Sequence, residues 1–461
     1  MTQTIHALNR GNQALERYRM MSHDPSVVEN DEPYIGKRVL VFEGQGLVVY
    51  ARFQDSEGPV VVTFNGRGDT KPNREGQGEA FFDKYKISSV HFISTDNHWW
   101  QSVDFEAGLK VVKALLEGRG IKDIVTYGSS MGGYGALAAS GVLNAIRVIA
   151  ITPQFTVDPE IVPWDRRFIK DARKLTFIYD DLALHMAQTD IVIISDPFFE
   201  VDQRHVNMIG DLRPIRQLSV AFAEHFVAPA VVDCGLLSQT ILGLVLGELD
   251  FKWFRNALRK ARGKSWCILA GASRFQHRKG RLRSALILGA KAYSVLMAEK
   301  VRGNRVSAAD FMIEGYATIL ADANMAREGL TVLDEWAQYR GSKPYWLTML
   351  KSRLCETAGD SKEALQLVME TLERFPGDRH ALSAACKLMP TAKKMKSFYR
   401  KSSEICLKYP SSSKAMATRL RQLGLHEMFD TFIARAILAH PNEAPKLRST
   451  FRLSENVAEE K

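Results

Sequence analysis

The sequence predicts an α/β chain: a mainly parallel sheet with helices on both faces, followed by an all-α region of helical repeats. Three observations carry that prediction. Between residues 37 and 250, short apolar, β-branched runs alternate with segments of helical spacing, as in a parallel sheet joined by crossover helices. Within that alternation, Ile124-Val-Thr-Tyr-Gly-Ser-Ser-Met-Gly-Gly-Tyr-Gly-Ala-Leu-Ala138 passes from an apolar run through small residues into helix formers. Further on, Pro344, Pro376, Pro410 and Pro441 each follow a helical segment at spacings of 32, 34 and 31 residues, near the period of about 34 found in tetratricopeptide units.

Length and composition agree with such a division. A chain of 461 residues exceeds one ordinary domain, and 46% hydrophobic with 25% charged residues is the balance of a globular protein. Residues 1–36 read as a polar lead-in with no basic region running into an apolar core, so no secretory signal is expected. The longest apolar run, Leu236 to Leu246, is too short to span a bilayer. Five cysteines, an odd number with no CxxC pair, point to a reduced, cytoplasmic protein with buried thiols.

The elements follow in order. Lys37 to Gly44 and Leu47 to Phe53 are two strands joined as a hairpin near Gly44 and Gly46. Pro59 to Phe64 is apolar throughout, the mark of a strand buried on both faces, and it ends in Asn65-Gly-Arg-Gly68. Ser89 to Ser94 is the next strand, closing with Asn97-His-Trp-Trp100. Phe105 to Glu117 has helical spacing and stops at Gly118 and Gly120. Ile124 to Tyr127 is a strand, Met131 to Leu143 its helix, and Ala145 to Thr152 a further strand. Residues 153–188 are longer than a crossover requires and read as a cap inserted over the sheet edge. Asp190 to Asp196 resumes the sheet and Leu218 to Phe222 is its last strand, closing a domain at 37–250. Residues 251–305 form a basic helical connector, with about fifteen Lys and Arg between Lys252 and Arg305 against the single acid Glu299. Residues 306–461 carry the repeats, in which Gly359 and Ala364 fall where a tight turn and a small packing residue belong.

Chemistry gathers around Ser130. Gly128, Ser130 and Gly132 form GxSxG, and glycine flanks the serine because a side chain there would strike the adjoining strand or helix. A serine hydroxyl is almost wholly protonated at neutral pH and needs a base to attack a carbonyl. His225, on the loop leaving the last strand, is the candidate. An imidazole so used needs a carboxylate to fix its tautomer, and two leave the preceding strand, Asp196 and Asp202. Negative charge on the substrate oxygen needs preorganised donors. The Met131 N–H is one, and Gly66 or Arg67 supplies the second from the loop after the Pro59 to Phe64 strand. Asn65, Trp99 and Trp100 are candidate substrate-binding residues. The pattern contains no metal-ligand set, and its chemistry requires no metal or cofactor.

From about residue 38 to 248 the chain resembles the α/β-hydrolases: the order Ser130, Asp196 or Asp202, His225, the Gly128-Ser-Ser-Met-Gly-Gly elbow, and Asn65-Gly as oxyanion loop. It is also similar to bacterial members with an Asn-x-Trp-aromatic segment, here Asn97 to Trp100. The resemblance implies serine-esterase-type acyl transfer to water and names no substrate; an esterase or deacylase acting on a small-molecule, glycan or lipid ester is the expectation, with acyl transfer to a sugar or lipid hydroxyl, or a retired site acting as a scaffold, as alternatives. The tetratricopeptide-like repeats imply a protein partner. Net charge of +10, concentrated in the connector, fits an anionic polymer or membrane surface there. No specific nucleic-acid binding is expected.

Overall fold

The computed structural model describes residues 35–68, 70–299, 301 and 305–453. The lead-in expected over residues 1–36 lies outside them except for Ile35, which bridges to Phe53, and Gly36. The chain divides into two compact units, residues 1–275 with 288–308, and residues 276–287 with 309–461.

The first unit is built on an eight-stranded sheet. Its strands are β1 (Val39–Glu43), β2 (Leu47–Arg52), β3 (Val60–Phe64), β4 (Ser89–Ser94), β5 (Ile124–Ser129), β6 (Arg147–Ile151), β7 (Asp190–Ser195) and β8 (Ile215–Ser219). They lie in the order β1-β2-β4-β3-β5-β6-β7-β8. The pairs β1–β2 and β2–β4 are antiparallel, and the pairs from β4–β3 through to β7–β8 are parallel. The apolar runs behave as their composition requires: β3 is buried at all five positions, and so are the first five of β5. Such strands are covered on both faces. Full burial of each Val or Ile contributes about 1.5–3 kcal/mol.

The hairpin over β1 and β2 turns at Gly44 because Asp104 fills the space a side chain would need: a Cβ there would sit 2.6 Å from Asp104 Cγ. The Asp104 carboxylate accepts the Gln45 N–H at 2.8 Å. Helix Val103–Gly118 is capped by the Ser102 side chain and buries Phe105, Leu109, Val112 and Leu116, the stripe that its spacing predicts.

Most element ends shift by one or two residues from the sequence expectation, and two shift further. The helix after β5 ends at Ala139, not Leu143. The last strand is Ile215–Ser219, not Leu218 to Phe222. β8 is an edge strand, so it alternates. Its Arg216 is anchored to Asp190 at 2.8 Å and its Gln217 to Ser195 Oγ at 2.8 Å. The apolar residues that follow belong to a turn in which Phe222 (φ 66) and Glu224 (φ 49) take the left-handed conformation.

Among the described residues no single helix is long and apolar enough to cross a membrane. Val227–Asp233 and Leu237–Leu246 reach that length only together, across a 112° bend. Residues 251–275 pack as part of the sheet unit: helix Trp266–Arg278 buries Trp266 through Gly271 continuously.

The second unit is all helix. Ala326–Arg340, Tyr345–Thr357, Ser361–Arg374, Arg379–Leu388, Ala392–Cys406, Pro410–Gln422, His426–Ala439 and Ala444–Phe451 follow one another with short turns. Asp360, Asp378 and Thr391 each cap the helix they precede. The spaced prolines mark boundaries: Pro344 is a cap residue, Pro410 opens a helix and Pro441 opens a 3₁₀ turn. Gly359 turns in the left-handed conformation (φ 89), and Ala364 is fully buried with its carbonyl accepting the Ser352 hydroxyl.

Candidate active site

The carboxyl ends of parallel strands share one edge of a sheet, and side chains just beyond those ends converge there. Asn65 follows β3, Ser130 follows β5, Gln154 lies beyond β6, Asp196 and Asp202 beyond β7, and His225 beyond β8.

Ser130 sits between β5 and helix Met131–Ala139 at φ 53, ψ −119, a conformation that costs a non-glycine residue about 1–3 kcal/mol. Its surroundings over-determine that geometry. The Ser130 N–H donates to Ile151 O at 2.8 Å. A Cβ at Gly128 would meet Gly132 O at 2.1 Å, and one at Gly132 would meet Phe64 O at 2.2 Å. Strand, turn and helix therefore approach closely enough to hold the serine only if both flanking residues are glycine.

His225 Nε2 lies 3.0 Å from Ser130 Oγ, and His225 Nδ1 lies 2.7 Å from Asp202 Oδ2. A carboxylate only accepts, so Nδ1 carries the proton and Nε2 is left to accept from the serine hydroxyl. Of the two candidate acids, the structure therefore brings Asp202 to the histidine. Asp202 stands in the first turn of helix Glu200–Leu212 and its side chain is fully buried. Burial pushes its carboxyl up, but the charges and hydrogen bonds of His225 and then Arg167 outweigh that and hold it below the ordinary range.

Asp196 has another task. Its Oδ1 accepts the Phe198 N–H at 2.9 Å and its Oδ2 the Glu224 N–H at 2.8 Å, so it braces the turn that carries His225. The carboxylate at the strand end is captured by local backbone, whereas the helix carries Asp202 out to the imidazole.

Among the residues expected to supply oxyanion donors, the Met131 carbonyl accepts the Trp100 indole N–H at 2.8 Å, which fixes the start of the helix. Gly66 lies beside the elbow, its Cβ position 3.6 Å from Ser129 O. The Arg67 guanidinium pairs with Asp171 of the insertion at 2.8 Å, tying the loop after β3 to that segment. Three expected substrate-binding residues have structural roles instead. The Asn65 side chain is 1% exposed and bonds both the N–H and the carbonyl of Ser94, bracing β3 against β4. Trp100 is a core residue, edge-on to Phe64 at 5.3 Å. Trp99 is 1% exposed, donates to Gln154 Oε1 at 3.0 Å and packs 4.9 Å from the Phe168 ring. It lies beneath the insertion.

Residues the sequence reading did not single out complete the site. The buried Gln154 side chain reaches Ser130 Oγ, its Nε2 at 3.4 Å, and its position just past a central strand was the available signal. Arg167 Nη2 forms an ion pair with Asp202 Oδ1 at 2.8 Å while its best-aligned bonds go to Asp165. The insertion itself is mostly irregular, with short helices Ile169–Ala172 and Leu182–His185. Within it, Asp180 accepts from Thr156 Oγ1 at 2.6 Å and from the Tyr134 hydroxyl at 3.1 Å. Burial raises the Asp180 carboxyl to about 6. A raised carboxyl favours the native state while protonated, so this contribution is complete below about pH 3.8 and lost as pH rises through about 6. In urea titrations, the stability of wild type relative to Asp180→Asn is therefore expected to fall between pH 4 and 7. A constant difference would remove Asp180 from the account. Among the described residues no group of three or more His, Cys, Asp or Glu is disposed to hold a metal ion.

A sheet in this strand order, with a serine on the strained turn after β5 and a segment inserted over its carboxyl edge, is the α/β-hydrolase fold, here joined to an all-helical region. Solved structures similar to the chain are the capsule O-acetyltransferase of Neisseria meningitidis serogroup A (13% identity, 47% of this chain and 93% of that one, TM-score 0.33), Est1E from Butyrivibrio proteoclasticus (12%, 46% and 98%, TM-score 0.32) and XC6422, an α/β serine hydrolase without lid from Xanthomonas campestris (14%, 50% and 95%, TM-score 0.30). No protein-family model and no curated protein matches the chain. Likenesses this slight carry no argument, and the chemistry below rests on the residues of this chain.

Proposed function

We propose that the protein is a serine hydrolase of ester bonds, with Ser130 as nucleophile, His225 as general base and then acid, and Asp202 as the carboxylate that orients it. The observation that carries this reading is the unbroken chain from Ser130 Oγ through His225 to Asp202, at 3.0 and 2.7 Å. In the first half-reaction His225 Nε2 takes the serine proton as Oγ bonds to the substrate carbonyl carbon. Negative charge on the carbonyl oxygen is met by the Met131 N–H and an N–H of Gly66 or Arg67. As the tetrahedral intermediate collapses, the alcohol leaves with the proton from His225 and the acyl group remains on Ser130. Water, deprotonated by His225, then releases the acid. A sugar or lipid hydroxyl in place of water would give transfer by the same steps. The helical unit is assigned to partner docking, since successive helices joined by short turns offer an extended surface. Five buried cysteines outside any disulfide support a reducing compartment.

The test is a panel of esters of increasing chain length and acetylated sugars, run on wild type and Ser130→Ala. Wild type should hydrolyse at least one class, with kcat/KM lower in the variant by about 10³-fold or more. Equal rates would refute the reading. Acylated acceptor formed in the presence of a sugar alcohol would assign transfer instead of hydrolysis.

A further inference from the structure

Five consecutive residues of the insertion, Trp164-Asp-Arg-Arg-Phe168, hold the site from above. The Trp164 ring lies 4.6 Å from the His205 ring. Asp165 Oδ2 is 3.0 Å from His205 Nε2, and Asp165 accepts two nitrogens of Arg167, at 2.9 and 2.7 Å. Arg167 Nη2 reaches Asp202 Oδ1 at 2.8 Å. Phe168 packs against Trp99 and lies 6.2 Å from the His225 ring. On its other side His205 Nδ1 accepts the Phe155 N–H at 3.1 Å, so Nε2 carries the proton that Asp165 accepts. Phe155 adjoins Gln154, whose amide meets Ser130 Oγ. The links close a ring: Ser130, His225, Asp202, Arg167, Asp165, His205, Phe155 and Gln154.

We propose that Arg167 is a positioning residue of this site, holding the second oxygen of Asp202 so that the carboxylate stays aimed at His225 and limiting how firmly the imidazole keeps its proton. The proposal rests on the reading of Ser130 as nucleophile. Asp202 and Asp165 are both buried, with side chains 0% and 2% exposed, and two such anions this close repel unless a cation lies between them. With Arg167 in place the cluster carries one net negative charge, which the imidazolium formed during acyl transfer neutralises. Without the guanidinium it carries two, which favours the imidazolium over the neutral imidazole that must act as base. Without the Asp165 charge it carries none, and the imidazolium is under-stabilised.

Several other charged groups on the packed elements are engaged elsewhere. Glu224, next to His225, is paired with Arg274, and Arg67 with Asp171. Arg204 is paired with Glu200, Asp196 is bonded by the N–H groups of Phe198 and Glu224, and Asp180 by Thr156 and Tyr134.

The experiment measures the second-order rate of labelling by a fluorophosphonate against pH, for wild type, Arg167→Met, Arg167→Lys and Asp165→Asn. The acid limb should move up by about one pH unit in Arg167→Met and down in Asp165→Asn, while Arg167→Lys follows wild type. Limbs that superimpose while the rates fall would overturn the proposal, leaving Arg167 a merely structural residue. So would an Arg167→Lys limb displaced as far as that of Arg167→Met. If Arg167→Met does not fold, the direction of the Asp165→Asn shift decides. Wild type that labels at Ser130 with unmoved variant limbs overturns this inference alone. Wild type that does not label at Ser130 overturns the nucleophile with it.

Discussion

Replacing Asp202 by Asn is expected to lower kcat by about 10⁴-fold while leaving the fold intact, and replacing Asp196 by Asn to lower it by no more than about 10²-fold. The two acids follow the same strand, yet their partners differ. Asp202 fixes the proton on His225 Nδ1 at 2.7 Å. An amide there can turn its own N–H toward the ring, stabilise the wrong tautomer and leave Nε2 protonated against the serine. Asp196 instead accepts backbone N–H groups, those of Phe198 and Glu224. An asparagine keeps its carbonyl oxygen and loses about one charge-assisted bond, so the cost falls mainly on stability, at about 1–2 kcal/mol. Steady-state kinetics and urea unfolding on both variants check the pair. A larger kinetic loss in Asp196→Asn would reverse the assignment.

Gly271→Ala is expected to damage both stability and activity. Gly271 lies on helix Trp266–Arg278 against the turn that holds His225, and a Cβ there would stand 1.9 Å from Phe222 O. The opposing atom is backbone and cannot swing aside. That turn is already unusual, with Phe222 and Glu224 at positive φ, and it is pinned by the Arg274–Glu224 pair at 2.8 Å. The helix or the turn must shift by more than 1 Å, which costs about 2–3 kcal/mol in overpacking. A displacement of that size at the base costs about 10²-fold in kcat. Gly263→Ala is the control, since only the Lys291 Nζ atom lies within 4 Å of its Cβ position, at 3.7 Å. Thermal melting and kcat on both variants check this, and a Gly271→Ala protein as active and stable as Gly263→Ala would contradict it.

What was legible in the sequence is what local chemistry dictates. Gly128 and Gly132 announce a turn that no side chain tolerates, and the apolar runs of β3 and β5 announce strands covered on both faces. His225 is legible because a serine requires a base in reach of the next strand ends. Less legible were features set by contacts across long stretches of chain. Asp165 and His205 are 40 residues apart, and nothing periodic connects them. The choice between Asp196 and Asp202 depends on which carboxylate local backbone captures first. β8 was displaced because an edge strand alternates and its polar residues hide it. Trp99 looks like a pocket wall in sequence, and only the placement of Gln154 and Phe168 around it shows a buried ring. Charge sets residues 251–305 apart, yet Gly271 and Arg274 within them brace the turn that carries His225.

The most direct measurement is covalent labelling of the full chain with a fluorophosphonate, followed by peptide mapping. The serine-hydrolase reading predicts one modified residue, Ser130, with labelling abolished in Ser130→Ala and strongly slowed in His225→Ala. An unlabelled wild-type protein, or equal labelling of Ser130→Ala, would contradict it.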